Sequence, residues 1–157
     1  MQILSYNVNG LRAAMRNGLM EWLSVHAFDV LCFQEVKATI DQVDLTPFEQ
    51  LGYQLVGWNA AQKKGYSGVA IFSRISSSKC EMGCGIDLYD AEGRIIKADF
   101  GRVTIVNAYF PSGTSGEARQ GIKMSFLADF QQWIHALQQT GQSLIVVRRL
   151  QTLPTKK

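Results

Sequence analysis

The sequence predicts an α/β protein, and three observations carry that reading. FDVLCFQEV, residues 28–36, is a nearly continuous apolar run only nine residues long. That length suits a strand buried on both faces better than a helix. Ile122, Phe126, Phe130, Trp133 and Leu137 step by four, four, three and four, which marks a long amphipathic helix from about Glu117 to Gln139. Further apolar runs are separated by Gly- and Asp-containing turns such as DAEG. Strands and helices in mixed order, with the strands deep in the core, define the α/β class.

The elements follow in chain order. QILSYNV at 2–8 alternates well enough for a strand. LRAAMRNGLMEWLSVH then sets Leu11, Met15, Leu19 and Trp22 at helical spacing, and Asn17-Gly18 breaks or bends that helix. After the buried strand come a short helix around Pro47 to Leu51 and a strand at YQLVGW. SGVAIFSR, GRIIKADF and RVTIVNAYF are three more strands. Gly141 ends the long helix, the turn TGQ follows, and SLIVV at 143–147 reads as one more core strand. Beyond it RRLQTLPTKK carries four basic residues and a proline in ten positions, without apolar periodicity, and reads as a tail. No internal repeat or low-complexity segment interrupts this order.

With 157 residues, 46% hydrophobic and 18% charged, the chain has the length and apolar content of one globular domain. Its formal charge of +3 suits a polyanionic partner but is too small to demonstrate one. No apolar stretch reaches the roughly 18 residues that span a bilayer, and no basic region with a signal-peptide core opens the chain. The expectation is therefore a cytoplasmic protein that does not enter a membrane. Cys32 lies in an apolar run, while Cys80 and Cys84 form a C-x3-C with no second ligand pair. Reduced structural cysteines fit that pattern better than zinc.

Several strands end in a polar residue: Asn7 closes the first, Glu35 the buried one, and Tyr109 the strand RVTIVNAYF. Any one of them alone marks where a strand meets water. Together they predict converging side chains, because a rigid sheet fixes position while the following loops leave room for a ligand. Glu35 is the least ordinary, since a carboxylate directly after VLCF begins near a buried position where a lone charge is costly. A bound cation offsets that cost, and oxygen ligands select magnesium or manganese over zinc. The alternative partner is Lys37 or Arg12 in an ion pair. His26 and His135 fall on predicted helices, where an imidazole more often caps or packs, and neither is assigned a role. KKGYSG is no P-loop, because a strand and not a helix follows it, but Lys63, Lys64 and Tyr66 are suited to touch a nucleic-acid backbone.

Taken together, SYNVNGLRAA, FDVLCFQEVK, KKGYSGVAIFSR, DAEGRIIKADF and NAYFPSG resemble, in order, the motifs of the exonuclease III family of abasic-site endonucleases. The resemblance covers residues 1–147, with Phe33 standing where that family usually has a smaller aliphatic residue. It implies a four-layer α/β sandwich, two mixed sheets face to face with helices outside. It also implies hydrolysis of the DNA backbone at abasic sites and 3' ends with Mg2+ or Mn2+, by a monomer. Position by position, Glu35 would bind the metal and Asn7 would help order the metal site. Tyr109 matches the active-site tyrosine poised near the scissile phosphate. Arg94 and Tyr66 match residues that hold the DNA strand, and Lys37 and Arg119 are candidates for phosphate contacts.

The sequence departs from the family after SLIVV. There the family continues into Gly-Asp-(Phe or Tyr)-Asn, whose aspartate prepares the attacking water and whose asparagine binds phosphate; here Val147 is followed by Arg148 and Arg149. A later aspartate and asparagine and a terminal Asp-His pair are also absent. The expectation is a domain truncated at 147 with an unrelated tail over 148–157, such as a frameshift or an artificial junction produces, and no catalysis by this chain. A non-catalytic product or weak DNA-binding remnant is the alternative. A third reading keeps the sandwich for a metal-dependent phosphatase or sphingomyelinase, against which KKGYSGVAIFSR and NAYFPSG argue.

Overall fold

The structure, a computed structural model, describes residues 1–112 and 117–148, with side chains for all of these except 117–119. The first half holds β1 (Ile3–Asn7), α1 (Leu11–Arg16), α2 (Leu19–Ser24), β2 (Val30–Gln34), α3 (Thr46–Gln50), β3 (Gln54–Asn59) and β4 (Val69–Ser73). The second holds β5 (Lys79–Met82), α4 (Asp87–Asp90), β6 (Ile95–Phe100), β7 (Val103–Ala108), α5 (Glu117–Gln138) and β8 (Ser143–Arg148). Asn17 and Gly18 do divide the first helical segment, with Gly18 in the left-handed region at φ 93°. β8 runs one residue past its predicted end, because Arg148 still pairs with Ala108 and its guanidinium lies 4.8 Å over the Phe110 ring.

The strands form two four-stranded sheets, ordered β1-β2-β4-β3 and β5-β6-β7-β8. Both are mixed: β1 runs parallel to β2 and β7 parallel to β8, while the remaining pairs are antiparallel. β3 lies against β5 and β6, β4 against β6 and β7, and β2 against β7. The two sheets are therefore stacked with β3 over β5 at one side and β1 over β8 at the other. At the first side Gly57 permits the close approach, since a Cβ there would stand 2.5 Å from the Cys80 sulfur.

Three apolar clusters fill the spaces between layers. α1, α2 and α3 bring Leu11, Leu19, Leu23 and Phe48 onto Leu31, Phe33 and Phe72 of the first sheet. Between the sheets, Val30, Cys32, Val69 and Ile71 meet Ile96, Ala98 and Ile105. On the far face, Tyr89 of α4 and Phe126 and Phe130 of α5 cover Ile95, Val106 and Ala108. The result is the four-layer α/β sandwich. β2 is buried at all five positions because it is covered on both faces, as its unbroken apolar run predicts. Phe33 uses its larger ring to meet Phe48 and Phe72 at centroid distances of 6.0 and 5.9 Å, and Phe48 stacks on Phe72 at 4.2 Å. Each such ring contributes about 1.5–3 kcal/mol through burial.

One polar group crosses the inter-sheet core. Asn107 of β7 is fully buried and donates through Nδ2 to the carbonyls of Phe33 and Ala70, both at 3.0 Å, in the opposite sheet. Its Oδ1 accepts from Gln34 Nε2 at 2.8 Å. A buried amide with these partners ties β7 to β2 and β4 and sets the relative position of the two sheets near their polar end.

Candidate active site

The carboxyl ends of β1, β2 and β7 gather at one end of the sandwich, so Asn7, Glu35 and Tyr109 converge as predicted. Glu35 lies one residue past β2 with φ 55°, in the left-handed region that a non-glycine residue seldom adopts. Asn9, Lys37 and Ser67 share that conformation in the adjoining loops, at φ 47°, 50° and 50°. Such backbone persists only where its surroundings over-determine it. Here the Gly10 amide donates to the Glu35 carbonyl at 2.7 Å and the Leu11 amide to the Val36 carbonyl at 3.0 Å. From the other side Val36 donates to the Gly68 carbonyl and Lys37 to the Ser67 carbonyl, at 3.1 and 2.9 Å.

The Glu35 carboxylate, 8% exposed, is held from three directions. Asn7 Nδ2 donates to Oε1 at 2.6 Å, and the Asn7 Oδ1 in turn accepts the Asn9 amide at 3.0 Å. Lys37 Nζ stands 3.2 Å from Oε2 and also donates to Asn9 Oδ1. The Tyr109 hydroxyl faces the same carboxylate and helps to lower its pKa. Burial acts to raise the Glu35 carboxyl, but the hydrogen bonds from Asn7, Lys37 and Tyr109, with the Lys37 charge, outweigh it and hold the group below its ordinary value. Burial pushes the Tyr109 phenol up, and the neighbouring Glu35 charge adds to this against the opposing Arg94.

A carboxyl whose value is lower folded than unfolded stabilises the fold above its unfolded pKa, and that contribution disappears as pH falls through the folded value. Glu35→Gln is therefore expected to flatten the acid limb of the stability profile below about pH 4.5. Urea unfolding of both chains between pH 3 and pH 7 checks it; parallel profiles would contradict it.

Arg94 forms the second half of the site. It is almost fully buried, just before β6, and its Nε donates to Glu92 Oε2 at 2.6 Å. Nη1 donates to the Tyr109 carbonyl at 2.9 Å and Nη2 to the Tyr66 hydroxyl at 3.0 Å. The guanidinium also lies 5.1 Å from the Tyr109 ring and 5.8 Å from the Tyr66 ring. Gly93 makes this possible: at φ 59° it lies so close to the loop at Ala60 and Ala61 that a Cβ would meet the Ala60 carbonyl carbon at 2.5 Å.

The structure thus brings together Asn7, Glu35, Lys37, Tyr66, Arg94 and Tyr109. Lys37, and not Arg12, is the ion-pair partner of Glu35. The Arg119 side chain lies outside the described residues. Lys63 reaches the site's rim, its Nζ 5.4 Å over the Tyr66 ring. His26 stacks on Trp22 at 4.1 Å, away from these groups. The sequence reading missed Asn9, which links Asn7 to Lys37, and Glu92, which neutralises Arg94. Glu92 stands two residues before Arg94 in DAEGR, a spacing that offers the only signal.

Among the described residues, no three His, Cys, Asp or Glu side chains gather at one point. Glu35 is a single hard-oxygen carboxylate beside neutral oxygen groups. That set suits an ion such as magnesium, which keeps several waters and takes one or two protein carboxylates, and does not suit a closed zinc site.

The structure is thus a two-sheet α/β sandwich with a carboxylate, a buried arginine and two tyrosines gathered at its strand ends. The chain belongs to the Endonuclease/Exonuclease/phosphatase family, which it matches over residues 4–147. It is 38% identical to an exodeoxyribonuclease of Bacillus subtilis (strain 168), over 87% of this chain and 50% of the relative. It is 30% identical to an exodeoxyribonuclease III of Haemophilus influenzae, over 99% of this chain and 59% of that one. A solved Neisseria structure, a 3' phosphatase NExo bound to product DNA hairpin, superposes with a TM-score of 0.81 at 25% identity, covering 94% of this chain and 56% of the other. The chain spans about half the length of the curated relatives it matches.

Proposed function

We propose that this chain is part of a DNA-repair nuclease of the exonuclease III type, cutting phosphodiester bonds at abasic sites and 3' ends with Mg2+ or Mn2+. Residues 1–147 form the first portion of the nuclease domain; the basic segment 148–157 is unrelated in sequence, although its first residue, Arg148, closes β8. The observation that carries this reading is the arrangement at the strand ends in which Arg94 joins the Tyr109 carbonyl to the Tyr66 hydroxyl, with the Tyr109 phenol beside the Glu35 carboxylate. Glu35 would hold the metal, with Asn7 ordering it. The bound ion would neutralise charge that develops on the phosphate. Tyr109 places a phenol that stays protonated at neutral pH beside Glu35, as a donor toward a phosphate oxygen. Tyr66 would hold the DNA strand, positioned by the buried Arg94, with Lys37 and Arg119 on flanking phosphates. The setting is the cytoplasm and the working form a monomer. Among the described residues no helix is long and apolar enough to cross a membrane.

Phosphodiester hydrolysis also needs a base that prepares the attacking water. Among the described residues no group of three or more His, Cys, Asp or Glu side chains gathers at Glu35, which Asn7 and Lys37 engage at 2.6 and 3.2 Å. This favours the second reading alongside the first, a chain that binds DNA without cutting it.

The test is a duplex oligonucleotide carrying one abasic site, with and without magnesium, read on a denaturing gel and by fluorescence anisotropy. The expected result is no incision, with binding that weakens steeply between about 50 and 200 mM salt. Magnesium-dependent cleavage that disappears in Glu35→Ala would overturn the inactivity. No binding at low salt, or tighter binding to inositol phosphates, would overturn the DNA assignment.

A further inference from the structure

Glu35 and Tyr109 stand on different sheets, so their approach depends on how the sheets are held over one another. Glu35 follows β2 of the first sheet and Tyr109 follows β7 of the second, and among the described residues no backbone ladder joins these strands. The apolar cluster between them, where Cys32 and Ile71 meet Ile96 and Ile105, is non-directional and does not by itself fix a register. A hydrogen bond from Asn59 Nδ2 to the Ile95 carbonyl, at 2.9 Å, does cross between the sheets, but it ties β3 to β6, away from β2 and β7.

The directional contacts lie directly beneath the site. Gln34, the last residue of β2 and 1% exposed, places Nε2 2.8 Å from Asn107 Oδ1 and 3.1 Å from both Ser5 Oγ and the Cys32 carbonyl. Asn107 is fully buried and returns two bonds to the first sheet, to the Phe33 and Ala70 carbonyls at 3.0 Å. Each of the three side chains comes one or two residues before a site residue: Ser5 before Asn7, Gln34 before Glu35 and Asn107 before Tyr109. Residues two apart on a strand share a face, so Ser5 and Asn7 project from the same side of β1. A hydrogen-bonded amide pair buried this close to the site turns the packing of two sheets into a fixed separation of two side chains.

We propose that Gln34 and Asn107 are positioning residues of this site: their amide pair, anchored on Ser5, sets the Tyr109 phenol against the Glu35 carboxylate across the space between the sheets. Neither amide touches a phosphate or a metal; each acts through the residue that follows it. Such a bridge matters because a misplacement of about 1 Å between groups that act together can cost on the order of a hundredfold in rate. This role rests on the proposed function for what the aligned pair does to a phosphate, and on the bridge alone for its geometry.

The test introduces Glu35→Gln into two backgrounds, the wild-type chain and Gln34→Met, and reads NMR of the full 157-residue chain with labelled tyrosine and asparagine, without metal or DNA. In the wild-type background, removing the Glu35 charge is expected to move both the Tyr109 ring resonances and the Asn7 side-chain amide, since both meet that carboxylate. In Gln34→Met the Tyr109 response is expected to fall at least about threefold, while Asn7, on the same sheet as Glu35, keeps its response. Asn107→Ser breaks the bridge from the second sheet and is expected to do the same, so that failure of one variant to fold leaves the other to decide. Ile105→Val, on β7 and in the same cluster but outside the bridge, is expected to change neither response. A full Tyr109 response in the bridge variants, loss of the Tyr109 and Asn7 responses together, or an equal loss in Ile105→Val would overturn the proposal. With manganese added, broadening at Tyr109 should weaken in Gln34→Met while that at Asn9 and Gly10 persists. Absence of broadening in every background rejects the metal reading, and the metal-free coupling still judges the bridge.

Discussion

Asn107→Leu is expected to destabilise the chain by about 3 kcal/mol, although the two side chains are close in size. The wild-type amide sits in the inter-sheet core with both donors and its acceptor satisfied, by the Phe33 and Ala70 carbonyls and by Gln34. Leucine satisfies none of them. The Gln34 amide keeps its bonds to Ser5 Oγ and the Cys32 carbonyl, both at 3.1 Å, which limits the loss. The two carbonyls lose their partner where water does not enter. Asn107→Asp should be worse at neutral pH, because an acceptor-only carboxylate would then face two carbonyl oxygens. Urea denaturation at constant m-value measures both, and a loss under about 1 kcal/mol for the leucine variant would show that the bridge does not hold the sheets.

Arg94→Met should cost about 3–5 kcal/mol, the range for breaking a buried ion pair by removing one partner. Arg94 has only 1% of its side chain exposed, whereas Glu92 has 24%, so solvation of the glutamate places the effect near the lower end. Removing the guanidinium also releases the Tyr109 carbonyl and the Tyr66 hydroxyl together. Arg94→Lys retains the charge but cannot reach Glu92, Tyr109 and Tyr66 at once, since an ammonium lacks the planar fork. It should lose roughly half as much. Adding Glu92→Gln to Arg94→Met should recover part of the loss, which a double-mutant cycle reads directly. Additive single losses would contradict the pairing.

The parts of this fold that could be read from sequence are those where burial dictates residue type. FDVLCFQEVK announces itself because a strand covered on both faces must be apolar throughout, and α5 because only one of its faces is covered. β5 and α4 were not read. Each is four residues long, and their sequences, KCEM and DLYD, have no periodicity to detect. Backbone pairing with β6 holds β5, and packing of Tyr89 on the second sheet holds α4, neither of which leaves a local mark on the chain. At the site, strand-end placement made Asn7, Glu35 and Tyr109 legible. The function of Asn107 was not legible, because a polar residue inside RVTIVNAYF looks the same whether it faces solvent or crosses between sheets. Asn9 and Glu92 escaped for a similar reason: they act on other site residues and sit in loops where polar side chains are ordinary.

Glu35 is proposed as the metal-holding carboxylate at the polar end of the sandwich. Manganese titration of the chain, followed by paramagnetic broadening of backbone amide resonances, tests this without requiring catalysis. Broadening is expected first at the amides of Asn9, Gly10, Val36 and Tyr109, around the Glu35 carboxylate, and is expected to vanish in Glu35→Gln. Broadening centred elsewhere, for example at Glu81 and Asp99 on the second sheet, or unchanged in Glu35→Gln, would contradict the account.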